Sequence, residues 1–142
     1  DPKSGHVLSA LIRRFHEAKE TKASSVTLWG SGNPRREFIH ADDIAEACLV
    51  LLQGDTSQLQ FPLNLGTGKD FSIRELAENI ANVVGYTGKL EWDTSKPDGA
   101  PRKLLDSSRL LTFGWRPSVG LGNGLKSTYQ WYLDSVLTKG VP

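Results

Sequence analysis

Trp29-Gly-Ser-Gly-Asn-Pro-Arg-Arg36 places an indole, a glycine-rich turn and two guanidiniums within eight residues. An indole offers a flat apolar face, and a guanidinium offers several N–H donors in a planar fork that matches phosphate oxygens. Together they suit a site that holds a ring and an anionic linker at once, as in a nucleoside diphosphate. Read from the residues alone, the same stretch is also compatible with a surface hairpin whose arginine pair is solvated.

A second polar segment, Lys96-Pro-Asp-Gly-Ala-Pro-Arg-Lys103, is stiffened by its prolines and presents Lys96, Arg102 and Lys103 around Asp98. Cations there would add to Arg35 and Arg36 in an anion site, and the carboxylate would accept from sugar hydroxyls. By itself the segment also reads as a solvated loop. His6, at the start of the first helical pattern, could move protons near neutral pH, although a lone histidine there reads first as a surface residue. Gly66-Thr-Gly68 follows a β-prone run, but position 71 is Phe71, so the three-glycine dinucleotide fingerprint is incomplete and a tight strand-to-helix turn fits better. No Walker loop is present, and His6, His16 and His40 are too widely spaced to suggest zinc.

The elements that must position these groups follow from periodicity. Val7, Leu8, Leu11, Ile12 and Phe15 recur at helical spacing and predict a helix over 7–22. Val26–Trp29 and Glu37–His40 predict strands, and Asp42 or Asp43 predicts the cap of a helix reaching Gln53. Phe61–Leu65 predicts a third strand. Ser72 with Glu75 forms a capping box for a helix to Val84, ended by Gly85. Lys89–Trp92 predicts a fourth strand, Asp106 a cap for a short helix over 107–111, and 121–137 a final amphipathic helix. Strands alternating with helices make the class α/β.

Composition narrows the function classes. A length of 142 residues fits one domain, 1–142, with a real core. Seventeen basic against sixteen acidic residues give no excess for general nucleic-acid or membrane-surface binding. Cys48 is the only cysteine, so no internal disulfide can form, and its apolar neighbours predict a buried, inert thiol. No signal peptide or membrane-spanning run is evident, which makes a cytoplasmic setting the expectation. The chain contains no methionine and opens on Asp1-Pro-Lys-Ser-Gly5, which reads as mid-loop, so a piece of a longer polypeptide is expected.

Taken together, His6-Val-Leu-Ser-Ala-Leu-Ile-Arg-Arg-Phe-His16, Trp29 to His40, Asn64-Leu-Gly-Thr-Gly68, Ser95 to Asp106 and Ser127-Thr-Tyr-Gln-Trp-Tyr132 resemble the C-terminal, substrate-binding part of the GDP-L-fucose synthase family, extended short-chain dehydrogenases of Rossmann type. The resemblance covers nearly the whole chain. It implies an NADP-dependent enzyme that epimerises GDP-4-keto-6-deoxy-mannose at C3 and C5 and reduces its C4 ketone. The Tyr-x-x-x-Lys pair of that chemistry is missing, since Leu90, Leu133 and Val136 stand four residues after Tyr86, Tyr129 and Tyr132. So is the glycine-rich NADP loop. In the family both belong to the N-terminal half, so this chain alone is expected to be inactive and to bind GDP-sugars weakly.

The resemblance implies a nucleotide clamp in which Arg14 reaches the GDP, Trp29 packs on the base or ribose, Arg36 binds the diphosphate, Asp98 accepts from ribose or base, and Lys96 adds positive charge. It also turns the reading of His6 around, implying a proton donor in epimerisation at the junction with the NADP half. Arg35 departs from the residue types expected at its position, while Arg36 keeps the family spacing to Trp29. A homodimer is implied for the parent. For this chain alone, self-association is expected, with the Phe61–Leu65 strand as the crossing point between the parent's halves and the edge left unpaired.

Overall fold

The structure is a computed structural model that describes residues 6–57, 59 and 62–137. Helix α1 runs over Val7–Glu20 and ends as Lys22 turns into the left-handed region, two residues before the predicted stop. Strand β1, Ser25–Trp29, pairs in parallel with β4, Lys89–Asp93. A second sheet has β2, Arg35–Glu37, at its centre, antiparallel to β3, Asp70–Ser72, and parallel to β5, Arg102–Lys103. Helices α2 (Ala41–Gln53), α3 (Ile73–Val84), α4 (Ser108–Thr112) and α5 (Leu121–Trp131) complete the α/β arrangement.

The main core is formed where α1 and α5 pack on α3, and α1 on β1. Phe15, Leu76, Ile80, Val84 and Leu125 are all buried in it, together with Val26 and Leu28 from alternate positions of β1. That strand must therefore present Thr27 and Trp29 to its other face, because successive side chains alternate. The helix α3 begins and ends as its sequence predicts. Ser72 Oγ accepts from the Glu75 amide, Glu75 answers at the Ser72 amide, and Gly85 closes the helix at φ +78°.

Several expectations are corrected. The strand expected at 37–40 lies at Arg35–Glu37, which puts the arginine pair inside a sheet. Pro34 ends the preceding turn, and Phe38 and Ile39 leave the strand to pack against the main core and a smaller one around Ala47, Leu110 and Trp115. The cap of α2 is His40, whose ring nitrogen accepts from the Asp42 amide. Asp43 turns inward, is fully buried, and accepts from the amide and hydroxyl of Ser118 and the amide of Val119.

Phe61 lies outside the described residues, and Pro62–Leu65 form no strand; Asn64 instead donates to the Asp106 carbonyl. A strand needs a neighbour for its backbone groups, and among the described residues none runs beside this segment. The short strands β3 and β5, without alternation of their own, exist because β2 lies between them. The last helix is regular only to Trp131 and continues as a π-helical turn over Tyr132–Leu137. Cys48 is exposed. Helix α2 is apolar on both sides, and since Ala47, Val50 and Leu51 take the inner one, Cys48 falls on the outer with Ile44 and Leu52. No described helix is long and apolar enough to cross a membrane.

Candidate functional site

The turn between β1 and β2 brings the first motif and the Lys96–Lys103 loop to one cleft of about 220 Å³. Trp29, Gly32, Pro34, Arg36 and Asp98 line it, with Val7 from the start of α1. Trp29 is the last residue of β1 and its indole is 72% exposed, an unusual state for so large an apolar group. Lys96 Nζ lies 5.7 Å from the centre of that ring, within reach of its electron-rich face.

Arg36 is half-buried in β2. Its Nη1 donates to the carbonyls of Arg35 and Ala100, both at 2.7 Å, and its Nη2 lies beside Gly99. One edge of the fork therefore fixes the side chain against the loop that closes the cleft. Asp98 accepts from the amide of Ser31 at 2.8 Å and from its hydroxyl at 2.6 Å. Those bonds hold its carboxyl below the usual carboxylate range, so the group is charged at neutral pH. The same carboxylate abuts Gly30, which sits at φ +81°, so a side chain there would be strained and would push on Asp98.

The structure thus joins Trp29, Arg36, Lys96 and Asp98 in one place. His6, at the N-cap of α1, is exposed and immediately precedes the cleft residue Val7. Its side chain makes no capping bond. Arg14 is exposed on α1, two turns beyond Val7, and is not a lining residue. Arg35 and Arg102 do not serve the cleft. Both guanidiniums bond to the carboxylate of Asp70, Arg35 Nε at 2.8 Å, and together they lower its pKa from the ordinary value. These two arginines tie β2 and β5 to β3.

Sequence reasoning missed four participants. Ser31 is the partner of Asp98. Arg74 and Trp92 brace the Trp29–Arg36 turn from behind, with the Arg74 guanidinium 4.4 Å above the Trp92 ring. Glu37 closes the Gly66–Gly68 turn, accepting from the Gly68 amide and the Thr67 hydroxyl, while its other oxygen accepts from the Leu105 amide. Only the Ser72–Glu75 box, which fixes where Arg74 stands, gave a local signal. A roomier groove of about 330 Å³ lies beside Phe38, Phe71 and Lys69, but it gathers no comparable set of cations.

Residues 1–66 match the model of the NAD dependent epimerase/dehydratase family. The chain is 54% identical to "Putative GDP-L-fucose synthase 2" of Arabidopsis thaliana over 97% of its own length and 42% of that protein's. It is 49% identical to the GDP-L-fucose synthase of Escherichia coli, over 94% of this chain and 44% of that one. The chain is homologous to the GDP-L-fucose synthases. It spans less than half the length of these synthases, which carry a further, larger portion outside the aligned part. Among solved structures, "GDP-mannoheptose C4 reductase from Campylobacter jejuni with NADP bound" superposes with a TM-score of 0.79 at 38% identity, covering 93% of this chain and 46% of that one.

Proposed function

We propose that this chain forms the nucleotide-gripping part of an NADP-dependent GDP-L-fucose synthase, acting on GDP-4-keto-6-deoxy-mannose. The observation that carries the reading is the shared cleft of Trp29, Arg36 and Asp98, with Lys96 over the indole. In this reading the guanine or its ribose packs on Trp29, and the diphosphate meets the Arg36 guanidinium and the Lys96 ammonium. Asp98, whose oxygens already hold Ser31, accepts from a ribose or base donor with a remaining lone pair. Arg14 reaches the ligand only if its long side chain extends along α1. His6 stands where α1 begins, open to exchange protons at the sugar and to meet the nicotinamide half.

The residues present do not make a dinucleotide cradle. The Gly66–Gly68 turn, expected to join a strand to a helix, follows no described strand and leads into β3 instead, and its Gly68 amide is already taken by the Glu37 carboxylate, so a phosphate there would meet like charge. NADP binding is therefore assigned to the portion of the synthases beyond the aligned region. Absence of a Tyr-x-x-x-Lys pair from these 142 residues agrees with that division. A cytoplasmic setting and a homodimeric parent complete the reading.

The guanine assignment rests on the names of the synthases and of the heptose reductase, which share GDP and differ in the sugar. A second reading, a related GDP-sugar reductase, is favoured by the heptose enzyme's 38% identity, and it leaves the cleft's role unchanged. Isothermal titration with GDP, UDP and dTDP tests the grip. GDP should bind most tightly, and a preference for UDP or dTDP would reassign the base. Turnover of GDP-4-keto-6-deoxy-mannose should be absent from the 142-residue chain alone.

A further inference from the structure

We propose that Arg74, which lies outside the cleft, is a positioning residue that holds the Trp29–Arg36 turn in its ligand-ready shape. The proposal rests on the nucleotide reading of the cleft and adds a residue to it. Trp29 and Arg36 stand at the two ends of one turn, so its shape sets the distance between the ring-binding and phosphate-binding groups. Gly30 and Gly32 both occupy the left-handed region, at φ +81° and +79°. A turn with two such glycines has many alternative shapes, and something outside it must select one.

Helix α3 makes the selection. Arg74 Nη2 donates to the Ser31 carbonyl at 2.7 Å, and the Arg74 amide donates to the Gly32 carbonyl at 2.9 Å. The Ile73 amide donates to the Pro34 carbonyl at 2.9 Å. Three carbonyls of the turn therefore face the start of α3. The Arg74 guanidinium carbon lies over the Trp92 ring, 4.4 Å from its centroid, and that ring comes within 2.7–3.0 Å of where a side chain on Gly32 would begin. Trp92 and Arg74 form a single brace, anchored in β4 and in a helix whose first turn is locked by its capping box. Only arginine can stack on the indole and donate in the ring plane together. From the opposite side Asp98 grips the Ser31 amide and hydroxyl. The turn is thus clamped between a structural cation and a cleft carboxylate.

The test uses the full 142-residue chain labelled with 5-fluorotryptophan, whose four tryptophans give separate ¹⁹F lines, Trp29 being assigned with Trp29→Phe. In Arg74→Gln the Trp29 line should broaden or split while the Trp115 and Trp131 lines stay in place. GDP affinity should fall about tenfold, the loss expected of one charge-assisted hydrogen bond. The dependence of that affinity on salt should remain that of the wild type, since Arg74 does not touch the phosphates, whereas Arg36→Gln should flatten it. Trp92→Phe keeps a ring under the guanidinium and should leave the Trp29 line single.

An unchanged Trp29 line with unchanged affinity in Arg74→Gln would overturn the proposal. So would a flattened salt dependence, which would make Arg74 a direct phosphate ligand. If Arg74→Gln loses all dispersion, Arg74→Lys takes its place with the same expected Trp29 broadening and the same overturning results. Should the wild-type chain bind no GDP, the nucleotide reading fails, and the Trp29 line still decides the role of Arg74.

Discussion

Glu37 Oε1 accepts the amide hydrogen of Gly68 at 2.7 Å, tying the strand that carries Arg36 to a turn thirty-one residues later. The same carboxylate takes the Leu105 amide at 3.0 Å, and it fills the space a side chain at Gly66 would need. Three segments meet on one side chain. Glu37→Gln keeps the shape but turns an amide N–H toward one of these donors. It should destabilise the chain by about 0.5–1.5 kcal/mol, the net worth of one hydrogen bond whose donor is exposed to water. A lowered thermal midpoint by circular dichroism would show it, and an unshifted midpoint would mean the turn holds itself.

Trp29 and Arg36 should contribute differently to ligand binding. Trp29→Ala removes a stacking face worth roughly 1–3 kcal/mol, and because the indole is exposed it should leave the fold intact. Arg36→Gln should weaken GDP binding more than it weakens guanosine binding, since its target is the diphosphate. Calorimetry with both ligands separates the two, and equal losses would place Arg36 against the nucleoside.

Acid should loosen the cleft. Asp98 is held low by Ser31, and Asp70 by Arg35 and Arg102. A carboxyl with a depressed folded-state pKa adds stability above its unfolded value, near 3.9, and that contribution disappears as pH falls through the folded value. Stability should therefore be flat through neutral pH and decline below about pH 4. Asp98→Asn and Asp70→Asn should each show a shallower decline in urea titrations run from pH 7 to pH 2.5.

Gly30→Ala tests the fit of the turn against Asp98. The new methyl would stand in the left-handed region, which costs a non-glycine residue roughly 1–2 kcal/mol, and it would also press on the Asp98 carboxylate. Gly114→Ala is the control, being also left-handed at φ +104° with open space around it. The larger loss of stability, and of GDP affinity, should fall on Gly30→Ala.

The outer face of α2 should drive self-association. Ile44, Cys48, Leu49 and Leu52 all lie exposed on it, Leu52 at 82%. An apolar helix face without a partner favours association. Sedimentation should show mass rising with concentration, and Leu52→Lys should suppress the rise. Maleimide labelling of Cys48 should slow as the protein is concentrated, and a rate independent of concentration would move the contact elsewhere.

Much of this was legible in the sequence because its causes are local. The capping box at Ser72 and Glu75, the glycine stop at Gly85, the alternation of Val26 and Leu28 and the helical spacing of α1 each depend on residues within a turn or two of each other. The motif residues Trp29, Arg36, Lys96 and Asp98 could be named from their types and family spacing. Tertiary structure decided which of the neighbouring cations stayed in the cleft. Arg35 and Arg36 are adjacent, yet alternation along β2 sends one to Asp70 and leaves the other beside the cleft. It also decided the places of β3 and β5, the exposure of Cys48, the inward turn of Asp43 and the brace of Arg74 on Trp92. Hydrogen bonds and ring contacts between residues far apart in the chain exist only once folding has brought them together, and no local pattern encodes them.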